Sequence, residues 1–398
     1  MPYAASCSRT AETRQALEEA SRDVNAQLAG GRPDLTFLFA SRHHAGEFEN
    51  IASAALELTR ARHILGCTAE SVAAGSQEFE ETAVLSLWSA VLPGARVESF
   101  HVEFEATPDG PICSGLPEAA VTLEDVRAVL MLADPYTCAV DTLISRLADE
   151  LPGVPLIGGM ASGGGGPGEN RLLLDGRALE GGGAGVLLCG GPRIHSVVSQ
   201  GCRPIGNPFV VTKAEENVIV ELGGKPALSR LEQTYAGLSE DDRQLIRRGL
   251  HVGIAMNEYK PAFSRGDFLI TNVLGADRES GAIAIGNFVR MGQTVQFHIR
   301  DAEAADEDLR HLLAAQREKQ RAAPQGALLF SCNGRGTRLF PKPNHDAGVI
   351  QELCGPLALA GFFAQGELGP VGGRNYIHGF TASVALFEDV APGESAPA

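Results

Sequence analysis

Read for apolar and polar positions, the chain shows one arrangement of parts three times. A short apolar run, Leu35 to Ala40, leads into the polar cluster Ser41-Arg42-His43-His44. A helical stretch follows to about Thr59, then a second apolar run ending Ile64-Leu65-Gly66. Short apolar runs bounded by polar and turn residues read as buried strands, so the segment predicts a β-α-β unit. The plan returns at Val126 to Leu132, broken by Ala133-Asp134-Pro135, with helix over Asp141 to Glu150 and Val154 to Ile157 running into Gly158. It returns again with a strand over Gly326 to Ser331, the turn Cys332-Asn333-Gly334-Arg335-Gly336, helix over Asp346 to Cys354, and Leu357 to Ala360 running into Gly361. Recurrence of whole units points to a repeated architecture.

The second run of each unit closes on the same spelling, G-x-x-A: Gly66-Cys67-Thr68-Ala69, Gly158-Gly159-Met160-Ala161 and Gly361-Phe362-Phe363-Ala364. A glycine there permits backbone angles closed to other residues and an alanine lets two segments approach closely, so a tight turn leaving each strand end is expected.

Between the units, Val97 to Glu105, Ala184 to Cys189, Ile194 to Gln200, Gly281 to Val289 and Gln293 to Ile299 have strand composition with turn signals between them. That suits antiparallel or mixed sheets. Thr212 opens a stretch to Leu222 with a cap-like start, and Pro226 to Tyr235 and Glu240 to Arg248 read as helices. Glu12 to Leu28 is a helix, closed by Gly30, Gly31 and Pro33, that packs on the outside, and Asp301 to Arg321 is a charged helix with Leu309, Leu312 and Leu313 as its apolar stripe. The expectation is a mixed α/β (α+β) fold in which two domains, over residues 34–225 and 226–388, share a central pocket. A helical extension over residues 1–33 precedes them and a flexible tail over 389–398 follows.

At 398 residues the chain suits two cores of ordinary size. Its 33 Lys and Arg against 49 Asp and Glu give a formal charge of −16, which argues against nucleic acid or an anionic membrane as partner. The eight cysteines form no CxxC pair or metal-ligand spacing and read as reduced thiols. No export signal or run of apolar residues long enough to span a bilayer is visible, so a cytoplasmic location is expected.

In sheets built from β-α-β units, ligands sit beyond the carboxyl ends of the strands, where loop amides and helix N-termini point outward. That places candidates at Ser41 to His44, at Asp134 and Pro135, at Cys332 to Gly336 and at the G-x-x-A segments, Gly66, Cys67 and Thr68 among them. In the turn Cys332-Asn333-Gly334-Arg335-Gly336, the glycines expose amides, Asn333 offers a donor and an acceptor, and Arg335 offers a fork for a carboxylate. As a loop side chain, Arg335 is expected to hold an anionic ligand while contributing little to stability. Pairing with a local acid is the structural alternative. Cys332 reads either as a bystander thiol or as a nucleophile with His345 or His378 as base. Asp346 is a plausible N-cap for the helix that follows. Glu367, alone among Gly and Phe in the segment that also carries Gln365, requires a partner, with Arg335 or Arg374 expected. His378 has three roles open to it: a carbonyl hydrogen bond, haem ligation, or a face on the pocket. The Gly163 to Gly166 run lacks the Lys-Ser or Lys-Thr of a phosphate cradle and reads as a loop covering a ligand.

Leu65-Gly66-Cys67-Thr68-Ala69-Glu70, Val198-Ser199-Gln200-Gly201-Cys202-Arg203-Pro204-Ile205-Gly206 and Ala360-Gly361-Phe362-Phe363-Ala364-Gln365-Gly366-Glu367-Leu368-Gly369-Pro370 together resemble the FIST family, over about residues 35 to 388. The resemblance implies a FIST N-terminal and a FIST C-terminal domain, and an intracellular signal-input module that binds a small anionic or amino-acid-like ligand rather than an enzyme. Arg203 and the turn from Gly66 to Glu70 are expected to complete the site from the N-terminal half. Some relatives are regarded as haem-binding nitric-oxide sensors that control a histidine kinase, and another carries an F-box. No cofactor is expected here, with haem as the alternative. The partners implied are the small ligand and a downstream signalling protein, with self-association left open.

Overall fold

A computed structural model describes residues 2–108, 110–117, 125–260, 262–263 and 266–390. The fold is mixed α and β, in two compact units: residues up to Val198 together with those from Arg310 onward, and Ser199–Leu309. The larger unit begins Tyr3–Ser8 (β1), Thr13–Gln27 (α1), Leu35–Ser41 (β2), Phe48–Thr59 (α2), His63–Ala69 (β3), Val72–Ala74 (β4), Gln77–Phe79 (β5), Leu85–Ala90 (β6), Ala95–Thr107 (β7) and Gly110–Ser114 (β8). It continues Val126–Ala133 (β9), Val140–Glu150 (α3), Leu156–Met160 (β10), Leu172–Leu174 (β11), Arg177–Leu179 (β12), Gly183–Gly190 (β13) and Arg193–Ser199 (β14). The smaller unit holds Cys202–Glu215 (β15), Val218–Leu222 (β16), Lys225–Pro226 (β17), Ala227–Ala236 (α4), Glu240–Arg248 (α5), Leu250–Ala255 (β18), Phe268–Ala276 (β19), Ile283–Ile285 (β20) and Thr294–Arg300 (β21). After Ala302–Lys319 (α6), the larger unit resumes with Gly326–Cys332 (β22), His345–Cys354 (α7), Ala358–Ala364 (β23), Glu367–Val371 (β24), Arg374–His378 (β25) and Ala382–Glu388 (β26).

The three β-α-β units are present in the larger unit. Strands β2 and β3, β9 and β10, and β22 and β23 pair in parallel, with Leu38 opposite Gly66, Met131 opposite Gly158 and Leu329 opposite Gly361. An antiparallel strand lies beside the first strand of each unit: β6, β13 and β26 in turn. On the other side the units exchange hairpins in a cycle. The β4-β5 hairpin, which follows the first unit in the chain, pairs with β23 of the third; β11-β12, after the second, pairs with β3 of the first; β24-β25, after the third, pairs with β10 of the second. Each sheet therefore contains strands from two units.

The three sheets turn one face each toward a common core. Phe37, Phe39, Leu65 and Trp88 come from the first, Leu130, Leu132, Ile157 and Val186 from the second, and Leu328, Phe330, Phe362 and Phe387 from the third. Helices α1 and α2 cover the outer face of the first sheet, where Ala16, Leu17, Val24, Phe48 and Ile51 meet Leu38, Ala40 and Leu87. Strand β2 is thus buried on both faces, which is why its sequence is mostly apolar, with only Thr36 and Ser41 polar, rather than alternating.

The structure corrects several expectations. The first 33 residues are not only a helical extension: β1 pairs with β6 along Tyr3 to Ser8, a small-residue strand without a period-2 signature. The G-x-x-A segments are not turns but lie within β3, β10 and β23, save for Ala161, one residue past the end of β10. Their glycines are needed for packing, since a Cβ on Gly66, Gly158 or Gly361 would lie 2.6, 1.8 or 1.9 Å from the carbonyl oxygen of Leu38, Met131 or Leu329. The cap-like stretch from Thr212 to Leu222 is the β15-β16 hairpin, its apolar residues gathered in the consecutive β-branched run Val218-Ile219-Val220, which favours a strand. The compact units are a separate matter from the domain division expected near 225, since the smaller unit, Ser199–Leu309, spans that position. There β15, β21, β18, β19, β20 and β16 pair in sequence and β16 pairs back to β15, closing a barrel around Ile205, Val252, Ile283, Val295 and Phe297. Of the expected tail, residues 391–398 lie outside the described residues. No helix among the described residues is long and apolar enough to cross a membrane.

Candidate functional site

The carboxyl ends of β3, β10 and β23 meet in the larger unit. The Ser162 hydroxyl, just past β10, accepts the Glu70 amide at 2.9 Å and donates to the Phe363 carbonyl. The Phe363 amide donates to Ser71 O at 2.9 Å and the Gln365 amide to Met160 O at 3.0 Å. One hydroxyl thus ties together backbone from all three units.

Above this junction lies the turn after β22. The Asn333 amide donates to Ala364 O at 2.9 Å, while its side-chain Oδ1 is buried with no hydrogen-bond partner. Arg338 donates to Asn333 O at 2.9 Å and pairs with Glu70, which holds the turn over the first unit. The exposed Gln365 side chain reaches the Tyr136 hydroxyl at 3.4 Å, beyond the tip of β9. At that tip, Asp134 accepts from Thr137 at 2.7 Å and from Asn170 at 2.9 Å. Beside it opens a cavity of about 460 Å³ whose walls include Thr137, His101, Glu103, Phe104 and Gly182.

Arg335 is not the surface side chain expected of a loop. It is fully buried, with Nε and Nη2 donating to the two oxygens of Asp346 at 2.7 and 2.8 Å, Nη1 3.5 Å from Phe380 O, and its guanidinium over the Phe340 ring. Asp346, expected to cap α7, instead receives Arg335, the Ser331 hydroxyl at 2.7 Å and the His345 ring at 2.9 Å. Burial alone would raise the Asp346 pKa, but Arg335 holds it well below the usual carboxylate range. Glu367, also fully buried, takes the Thr381 amide and hydroxyl at 3.0 and 2.7 Å in place of the cation expected for it. Burial pushes its pKa up to about 8. Cys332 is buried beside Glu367, with the Gly334 amide 3.4 Å from its sulfur. Gly336 adopts φ +57°, and a Cβ there would strike Glu80 and the Phe363 ring at 2.7 Å, so this glycine is required by the turn.

The remaining candidates have structural positions. Cys67 and Thr68 are interior residues of β3: burial raises the Cys67 thiol well above its usual pKa, and Thr68 Oγ1 accepts the Arg171 amide at 3.0 Å. Arg203 belongs to the barrel unit, where it pairs with Asp242 and, at 2.6 Å, with Asp301. His378 is buried opposite Glu367 in the β24-β25 pair. Its Nε2 lies 3.0 Å from Gly369 O, and burial lowers its pKa to about 4, so the ring is neutral and donates to that carbonyl. In the glycine run, the Gly164 and Gly165 amides donate at 2.8 Å to Asn170 and Glu169 and so are already engaged. Sequence reading missed Ser162 and Tyr136, which acquire their roles only where distant strand ends meet, while Glu70 was anticipated as part of the segment from Gly66. For Ser162, its place immediately after G-x-x-A was the available signal.

The sequence matches the FIST N domain over residues 34–225 and the FIST C domain over residues 227–370. An uncharacterized protein of Mycobacterium tuberculosis (strain CDC 1551 / Oshkosh) is 44% identical over 378 residues, covering 95% of this chain and 97% of its own. An uncharacterized protein of Mycobacterium bovis (strain ATCC BAA-935 / AF2122/97) is 44% identical over 382 residues, 96% and 97% of the two chains. Domains of this kind serve signal transduction, and the chain, matched along nearly its whole length, belongs to the FIST family.

Proposed function

We propose that this chain is a signal-input protein whose small ligand binds at the junction of the three strand tips, and that the ligand is amino-acid-like, presenting an ammonium or amide donor. The observation that carries this reading is the buried Oδ1 of Asn333, which meets no donor of the protein and sits in the turn above the junction. A buried acceptor without a donor costs about 1–3 kcal/mol, and a ligand that supplies the donor recovers it. A purely anionic ligand has less support, because the Arg335 guanidinium is already taken by Asp346.

The test is calorimetry and thermal shift with the common amino acids, simple amines and simple carboxylates. An amino acid should bind, and Asn333→Ala should weaken it about tenfold, the worth of one hydrogen bond, while raising the unfolding midpoint of the free protein, because the acceptor without a donor is gone. Absence of any binder in the panel, or equal affinity in the variant, would overturn the assignment.

A further inference from the structure

Three carboxyl groups are buried around one guanidinium in the larger unit. Asp346 is 1% exposed, Glu78 7% and Glu367 0%, and Arg335 is the cation among them. The guanidinium gives its paired hydrogen bonds to Asp346. Glu78 receives one protein donor, the Ala347 amide at 2.9 Å on Oε1, and its Oε2 is buried with no partner. Glu367 receives the Thr381 amide and hydroxyl on Oε2, with the Cys332 thiol as a further, weak donor. The groups facing Glu78 are Asp346, His345 and Arg335, and those facing Glu367 are Arg335, the Cys332 thiol and the neutral His378 ring. Fully ionised, the cluster would hold three anions against Arg335 and at most His345. Uncompensated buried charge is costly, and a carboxyl escapes it by keeping its proton.

We propose that Glu78 and Glu367 form a buried proton store around the Asp346-Arg335 pair, filled in mildly acidic solution, whose emptying on alkalinisation loosens the turn that carries Asn333. Regulation of ligand binding by this store rests on the reading of Asn333 given above; the store itself does not. Burial raises Glu78 to about 7, with Asp346 adding to it, and Glu367 to about 8. Both folded-state values lie above the ordinary glutamate value of 4.5. The folded chain therefore binds protons the unfolded chain does not, and stability is fully present below pH 4.5 and falls as pH rises through 7 and 8.

Infrared spectroscopy of the wild-type protein should show buried carboxylic-acid stretches at pH 6 that vanish by pH 9.5, the Glu78 band being lost in Glu78→Gln and the Glu367 band in Glu367→Gln. Amide exchange over residues 333–340, corrected for intrinsic rate, should rise about tenfold over that range in the wild type and stay flat in the double glutamine variant. Wild-type spectra without an acid band at pH 6 would overturn the proposal, and they do so even if a glutamine variant fails to fold. An exchange profile unchanged by the double substitution would overturn it as well. The amino-acid panel is read at one pH, so a failed panel leaves the proton store standing, and a missing acid band leaves the ligand site standing.

Discussion

Replacing Arg335 with methionine tests most directly whether this residue belongs to the interior. Arg335 and Asp346 are 0% and 1% exposed and joined by two hydrogen bonds of 2.7 and 2.8 Å. Taking away the guanidinium leaves a carboxylate in the core with only the Ser331 hydroxyl and the His345 ring as partners. An orphaned buried charge of this kind costs about 3–5 kcal/mol, a large share of the 5–15 kcal/mol by which a domain is usually stable. A surface pair such as Arg338 with Glu70, whose arginine side chain is 48% exposed, is worth about 0–1 kcal/mol. The assay is urea unfolding, comparing Arg335→Met, Arg338→Met and the double variant Arg335→Met with Asp346→Leu. The double variant should recover much of the loss, because an apolar pair of similar volume removes the buried charge altogether. A loss below about 1 kcal/mol for Arg335→Met, or a double variant no better than the single one, would refute the assignment of this pair to the core.

Gly361→Ala should destabilise by about 3 kcal/mol in the same assay, since its Cβ would sit 1.9 Å from Leu329 O, whereas Gly46→Ala, with nothing within 4 Å of the added atom, should stay within about 0.5 kcal/mol. Ser162→Ala strands the Glu70 amide and the Phe363 carbonyl, and should cost about 1–3 kcal/mol and speed amide exchange at Glu70.

Much of the fold is written locally. The β-α-β units follow from buried strands on either side of an amphipathic helix, and even the equivalence of Gly66, Gly158 and Gly361 shows in the spelling of their segments. Their purpose does not show, because the atom a glycine must avoid, the Leu38, Met131 or Leu329 carbonyl, lies about thirty residues away along the chain. Of the barrel only the strands within Gly281 to Val289 and Gln293 to Ile299 were legible: the β15-β16 pairing that closes it joins two ladders, and a cap-like threonine drew its hairpin toward a helical reading. The candidate turn was read from its composition, but of the two roles open to its arginine the structure shows the pairing with a local acid, because no local signal separates a loop arginine that faces solvent from one folded back onto an aspartate eleven residues on.

By itself, the sequence determined the three repeated units, the FIST relationship and the turn from Cys332 to Gly336, all of which depend on neighbours within one strand, helix or loop. Only the tertiary structure decided that the hairpins are exchanged among the units, that Ser162 joins three strand ends, and that Arg335 lies among three buried carboxyls. These depend on which surfaces are left to bury once the local elements exist, and burial, which fixes the partner of every charge in the interior, is a property of the assembled chain.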